Sequence, residues 1–572
     1  MFSLKQMIPA FQWLPLYQRQ HLKSDISAGL TVAVMLVPQG MAYAMLAGLP
    51  PIIGLYASLI PLFVYALFGT SRQLAVGPVA MISLLVAAGI GEFAEPGSER
   101  YILLAAVLAG MVGLIQFLMG VSRLGFLVNF LAHPVISGFT SAAALIIGFS
   151  QLKHLLGIQI PRSNYVHEII VNAIQNFSDV NLATLVIGLG SIGLLLLLRR
   201  WKPVFPAALA VVLLSTLAVW GFELHHHGVR IVGDIPAGFP AFSMPPVDQQ
   251  TIIQLLPTAL AISFIAFMES IAVAKNFAAR NRYSVDANQE LIGLGLANVA
   301  AGLFSGYPVT GGFSRTAVNG QAGAKTPLAS MITAAGIGIT LLFLTPLFYY
   351  LPNSILAAVI MVAVFGLIDF KEMQHLYNVK RSDLLLLLFA FFATLFLGIE
   401  PGILLSVAAS LILIIRRSTR PHSAVLGQIP GTTIYRNINR YPEAVTFDGL
   451  LIFRIDAELH FANVAFLQDR LASLENMAMQ PLSAVIFDAS SVNSIDASAD
   501  TALHELAFQY QSRGIELYFS NLKGPVRDVL QRSGFYKKLG STHFFFNNHD
   551  AVTHVLQSQE RIRNETPAPV VK

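Results

Sequence analysis

The chain has 572 residues, of which 55% are hydrophobic and only 12% charged, and its mean hydropathy is +0.64. That balance excludes an ordinary soluble globular protein and leaves a polytopic membrane protein. Lysines and arginines in cytoplasmic loops account for the formal net charge of +5 without any nucleic-acid partner, and the absence of cysteine excludes disulfides and cysteine-ligated metals.

In chain order, Lys5, Arg19 and Lys23 precede the first apolar run with no short apolar core and cleavage site, so residues 1–24 read as a cytoplasmic segment and the first span as retained. No charged residue lies between Asp25 and Arg72. Hydropathy and turn signals predict fourteen apolar segments, near 27–46, 51–69, 74–91, 102–121, 126–152, 180–198, 203–222, 253–276, 291–305, 312–324, 327–348, 353–368, 382–398 and 401–415. With the N-terminus inside, the loops predicted to be cytoplasmic carry Arg72, Arg123, the Arg199–Lys202 cluster, Lys325, Lys371, Lys380 and Arg416, whereas the outer loops are acidic or sparsely basic. The segments divide into seven plus seven, with repeats at about 25–222 and 252–418 and a long outer loop between them.

In each half the third segment is broken by glycine and proline. The clearer case is GLFSGYPVTGGFSRTAVNGQAGAK (302–325), where Gly306, Pro308, Gly311 and Gly312 interrupt the helical ladder and a helix is expected to restart near Phe313. Free N–H groups at that restart, with Arg315 just inside it, favour an anion. SRQLAVGPVAMIS (71–83), with Gly77 and Pro78, supplies the matching half of such a site.

After Arg420 the composition changes. Residues 419–441 read as a linker, 442–556 as a small soluble α/β domain of short strands alternating with helices, and 557–572 as a disordered tail.

The motifs VPQGMAYAMLAGLPPIIGLYASLIP (37–61), LAVGPVAMIS (74–83) and GGFSRTAVNGQAGAKTP (311–327) resemble the sulfate permease (SulP) family of anion transporters, which includes pendrin and prestin. The tail domain resembles the STAS domain that follows the transporter in that family. The resemblance implies an α-helical polytopic fold with fourteen transmembrane segments in a uracil-permease-like seven-plus-seven inverted repeat, with core and gate domains, homodimers and an elevator motion. Carried over by motif, it places Gln39, Tyr43, Val76, Gly77, Pro78, Val79, Phe313, Ser314 and Arg315 around the substrate, with Glu269 as the group that couples protons. Family members that use sodium carry oxygen ligands where this chain has Val273 and Phe313, which favours protons.

Glu269 is an ionisable group inside an apolar span, which marks it as functional by default; the blander reading is a static pair with Arg315. Arg315 itself reads either as a substrate ligand or as that partner alone, and Tyr43 either as a ligand or as packing. Ser498, in DASSVNSIDASAD (488–500), matches a regulatory serine of stand-alone STAS proteins, although Ala499 replaces the usual glycine; the plainer reading is a loop that caps a helix starting near Ala499. GLGSIG (188–193) mimics a dinucleotide fingerprint but lies within an apolar span, and His225–His227 has no spaced metal-binding partners.

The sequence therefore describes a secondary active transporter of small anions at the plasma membrane, with sulfate the first expectation, and no cofactor, metal or enzymatic chemistry. Bicarbonate and dicarboxylates, anion exchange, a channel or membrane motor, and a scaffold whose STAS domain binds a soluble partner remain alternatives.

Overall fold

The computed structural model describes residues 8–126, 132–160, 166–201, 207–245, 248–366, 368–478 and 480–565. The chain divides into two compact units, Met1–Ser410 and Leu411–Lys572.

The helices of the first unit that follow the predicted segments are α1 (Leu22–Leu46), α2 (Pro51–Phe68), α3 (Ala80–Gly91), α4 (Glu99–Val121), α5 (His133–Ser150), α6 (Leu182–Trp201), α7 (Ala207–Gly221), α8 (Gln249–Arg280), α9 (Ala287–Leu303), α10 (Phe313–Gln321), α11 (Leu328–Ile339), α12 (Asn353–Phe365) and α13 (Arg381–Leu397), with α14 (Ile399–Thr419) running across the boundary between units. The opening residues of the fifth and seventh predicted segments, 127–131 and 202–206, lie outside the described residues, and Lys202 with them.

The helices follow all fourteen predicted segments, but they differ in length. Among the described residues eight helices are long and apolar enough to cross a membrane. α3 has 12 residues and α10 has 9. At about 1.5 Å per residue such helices fall well short of a hydrocarbon core roughly 30 Å thick. The third segment of each half is instead an extended stretch followed by a half-helix, because proline and paired glycines remove donors and helical propensity from its first part.

Two sets of helices pack among themselves. α1 packs on α2, α10 and α11, α9 on α2 and α4, and α8 on α3 and α4; in the other set α5 packs on α13, and α12 on α5 and α6, with α6 on α7. Small residues permit the closest approaches. A Cβ at Gly54 of α2 would lie 1.9 Å from the carbonyl oxygen of Gly40 in α1, so only glycine fits that crossing.

The second unit carries a six-stranded sheet in the order β4-β3-β5-β6-β7-β8, formed by β3 (Ser423–Gln428), β4 (Tyr435–Asn437), β5 (Leu450–Ile455), β6 (Ala484–Asp488), β7 (Glu516–Ser520) and β8 (Phe544–Phe545). β5 to β8 run parallel, while β3 pairs antiparallel with both β4 and β5. The period-2 alternation of β5 separates Leu451, Phe453 and Ile455, which pack toward α15 (Val464–Met477), α16 (Ala497–Ser512) and α17 (Gly524–Arg532), from Leu450 and Ile452, which pack toward α18 (Asn548–Glu565).

Two boundaries move relative to the sequence reading. The stretch read as a linker supplies β3 and β4, an antiparallel edge whose turn residues, around Pro430 and Gly431, look like a linker when taken alone. The last helix continues to Glu565, past residue 557 where a disordered tail was expected; the rest of that tail, 566–572, lies outside the described residues.

Candidate functional site

The extended parts of the two broken segments pair with each other. β1 (Val76–Gly77) and β2 (Thr310–Gly311) form a two-stranded antiparallel bridge, with Val76 opposite Gly311 and Gly77 opposite Thr310. Immediately beyond the bridge α3 starts after Val79 and α10 after Gly312, and neither N-cap residue supplies a side-chain hydrogen bond. Each helix thus leaves its first-turn N–H groups and the positive end of its dipole beside the bridge.

Backbone that is neither helix nor full sheet must find partners at this depth. Polar side chains of the neighbouring helices provide them. Asn298 of α9 accepts from Val309 N at 2.7 Å and donates to Val309 O at 3.0 Å, and Gln116 of α4 holds the same amide at 3.0 Å. Ser270 of α8 accepts from Gly311 N at 2.8 Å and lies 2.7 Å from the Thr310 hydroxyl, which donates to Ala266 O. Tyr307 meets Ser83 of α3 at 3.0 Å. None of these residues was singled out from sequence. The signal was available in Asn298 and Gln116, polar groups inside apolar spans.

Arg315 is 2% exposed and lies across the bridge. One of its terminal nitrogens, Nη1, donates to the carbonyl of Pro78, so a side chain of one half is fastened to the backbone of the other. Its Nε and Nη2 have no hydrogen-bond partner among the described residues. Glycine makes room for the guanidinium: a Cβ at Gly312 would stand 3.0 Å from Nη2, and one at Gly77 would stand 3.4 Å from it.

A cavity of about 460 Å³ opens against this arrangement. Gln39 and Tyr43 of α1, Val79 at the start of α3, Glu269 of α8, and Phe313, Ser314 and Arg315 of α10 line one wall. Leu195 of α6, Ala207 and Ala208 of α7, and Val359, Ala363 and Val364 of α12 complete the lining and are all apolar. Seven of the ten membrane residues singled out from sequence therefore share one cavity. Val76, Gly77 and Pro78 stand behind it, the first two in the bridge and the third as the acceptor for Arg315. Ser314 and Phe313 are exposed, and the Gln39 carbonyl oxygen is buried without a partner among the described residues. Glu269 makes no ion pair with Arg315 among the described residues, so both groups line the cavity without touching.

The remaining motifs fall elsewhere. GLGSIG lies inside α6, where only Gly188 sits at a close approach, against Leu155, while Gly190 and Gly193 face open space. His225 packs its ring against Tyr350 at 5.4 Å. Ser498 is exposed in the first turn of α16, which starts at Ala497 and is capped by Asp496 accepting from Ala499 N at 2.8 Å.

The description "sulfate permease family" matches residues 22–390, and that of the STAS domain matches residues 441–551. The chain belongs to the sulfate permease family. Its relatives include "Sulfate transporter 4.1, chloroplastic" of Arabidopsis thaliana, 44% identical over 96% of this chain and 83% of the relative. A probable sulfate transporter of Mycobacterium tuberculosis is 37% identical over 94% of this chain and 96% of its own length. Among solved structures, the murine Solute Carrier 26 family member A9 anion transporter in its inward-facing state aligns with a TM-score of 0.89 at 26% identity, covering 97% of this chain and 95% of that one. The transmembrane domain of a cyanobacterial bicarbonate transporter shares the fold at a TM-score of 0.59 and 24% identity, covering 69% of this chain and 98% of that one.

Proposed function

We propose that this sulfate permease is a secondary active transporter that takes up sulfate together with protons, binding the anion between the N-termini of α3 and α10. The observation that carries this reading is Arg315, a buried cation with two unpartnered nitrogens at the junction of two uncapped helix starts. Positive charge and oriented N–H groups select an anion, and Gln39 and Ser314 add donors in the same cavity. Relatives named as sulfate transporters support the choice of substrate. Glu269, in the same wall and free of an ion pair with Arg315, is positioned to exchange a proton as the anion arrives.

The lining of the cavity supports an elevator motion. Every polar group is on the α1, α3, α8 and α10 side, and the wall from α6, α7 and α12 is apolar. The polar set can slide past a smooth surface without leaving hydrogen bonds behind. The cavity is also lined by Gln321 at the end of α10 and by Gly366 just beyond α12, an end of the unit that the lysine and arginine distribution assigns to the cytoplasm. This is an inward-open arrangement in a plasma-membrane homodimer with both termini inside. The STAS domain, whose sheet begins with β3 at Ser423, is its regulatory unit, with Ser498 the position at which phosphorylation or a soluble partner acts.

Uptake of labelled sulfate, bicarbonate and fumarate into proteoliposomes, with imposed proton or sodium gradients, tests the proposal. Sulfate uptake rises with an inward proton gradient; Glu269→Gln abolishes that stimulation, and Arg315→Gln abolishes uptake. A sodium gradient that drives uptake by itself, or full activity in Arg315→Gln, overturns it.

A further inference from the structure

α10 has two working faces. Ser314, Ala317, Val318 and Gln321 face the cavity. Thr316 and Asn319, spaced to fall on another face, and the backbone N–H of the N-cap Gly312, which also lines the cavity, meet the extended segment that leads into β1 from the other half of the chain.

The contacts form successive rungs. Gly312 N donates to Ala75 O at 3.2 Å, Ala75 N donates to the Thr316 hydroxyl at 3.1 Å, and Asn319 Nδ2 donates to Gln73 O at 2.8 Å. The Gln73 amide continues the series, donating to Ala324 O at 3.1 Å and accepting from the Tyr283 hydroxyl at 2.7 Å. Thr316 is 0% exposed, Asn319 1% and Gln73 2%, so water does not compete for these bonds. A nine-residue helix makes only about two and a half turns, too short to fix its own position by its internal hydrogen bonds. The rungs fix it against the extended segment that runs through β1 to Pro78, the acceptor for Arg315.

We propose that Thr316 and Asn319 are positioning residues: they register segment 73–77 on α10, so that the two helix starts and Arg315 hold one geometry and travel as one body. Neither lines the cavity. The proposal rests on the anion-site reading above. It distinguishes two consequences of losing a rung: loosened registry weakens anion binding, whereas simple misfolding lowers only the number of working transporters.

Thr316→Val keeps the shape and removes the hydroxyl, Thr316→Ser restores the hydroxyl, and Asn319→Leu cuts a different rung. Two readouts are made on the full chain in proteoliposomes or detergent: KM and Vmax for labelled sulfate, and amide hydrogen exchange at 74–77 and 310–312. Expected for Thr316→Val and Asn319→Leu is a five- to tenfold rise in KM with Vmax per folded transporter within twofold, together with exchange at least tenfold faster in those segments; Thr316→Ser behaves as wild type. An unchanged KM with a fallen Vmax, unchanged exchange in both variants, or a serine variant as impaired as the valine one overturns the proposal. If the wild type carries no sulfate, the transport reading fails separately, and the exchange data alone decide whether the rungs register the segment.

Discussion

Gly54→Ala adds one methyl group where α2 crosses α1. The new carbon would lie 1.9 Å from the carbonyl oxygen of Gly40, 2.4 Å from its carbonyl carbon and 3.0 Å from the Cβ of Ala44. Relief requires the helices to part by about 1.5 Å, because the obstacle is backbone and has no rotamer to change. Overpacking of this kind costs about 1–3 kcal/mol, more than the ~1 kcal/mol that alanine gains over glycine in helical propensity, so the variant is destabilised on balance. The displaced residue is also the neighbour of Gln39 in the cavity wall, and a shift of about 1 Å at a binding group is enough to cost up to ~100-fold in rate. Thermal unfolding in detergent and sulfate uptake measure the two effects. Gly110→Ala in α4 is the control, since nothing lies within 4 Å of its new methyl group and only the propensity gain acts. Equal unfolding temperatures and equal uptake for Gly54→Ala and wild type would refute the packing argument.

Glu290 of α9 is buried and accepts at 2.6 Å from Thr70 N, the Thr70 hydroxyl and the Tyr65 hydroxyl, anchoring the loop that leads to β1. Glu290→Gln turns an NH₂ group toward some of those donors and is expected to cost about 2 kcal/mol in thermal unfolding experiments; an unaltered transition would show that the loop is held elsewhere. Asp25 of α1 accepts from Lys325 N and the Thr326 hydroxyl, both at 2.7 Å, so Asp25→Asn should speed amide exchange at Lys325 and Thr326 while leaving exchange in the STAS unit unchanged. In that unit, burial acts to raise the carboxyl pKa of Asp456, but hydrogen bonds from Arg454 and His422 outweigh it and hold the group below its usual range. Stability from this contact is therefore present above the unfolded value near pH ~3.9 and lost as pH falls through the lower folded value. Acid unfolding followed by circular dichroism should separate wild type from Asp456→Asn above about pH 4 and bring them together at lower pH.

Features that depend on local composition were legible residue by residue. Apolar runs of membrane length locate α1, α2, α4 and α8, because the bilayer requires each span to be hydrophobic along its own length. Glycine and proline mark the two broken segments, since those residues disrupt a helix wherever they fall, and Arg315 and Glu269 stand out as charges in an apolar setting. How the breaks are satisfied emerges only once the chain is folded. Asn298, Ser270, Thr316 and Asn319 look like scattered polar residues until β1 and β2 lie side by side, because hydrogen bonds between residues 11, 41, 241 and 246 positions apart leave no trace in local periodicity. The same holds for Pro78, whose carbonyl takes up Arg315, and for β3 and β4, whose turn-rich stretch becomes sheet only when β5 offers an edge. Burial and pairing belong to the assembled molecule, whereas hydrophobicity and helix-breaking belong to each residue.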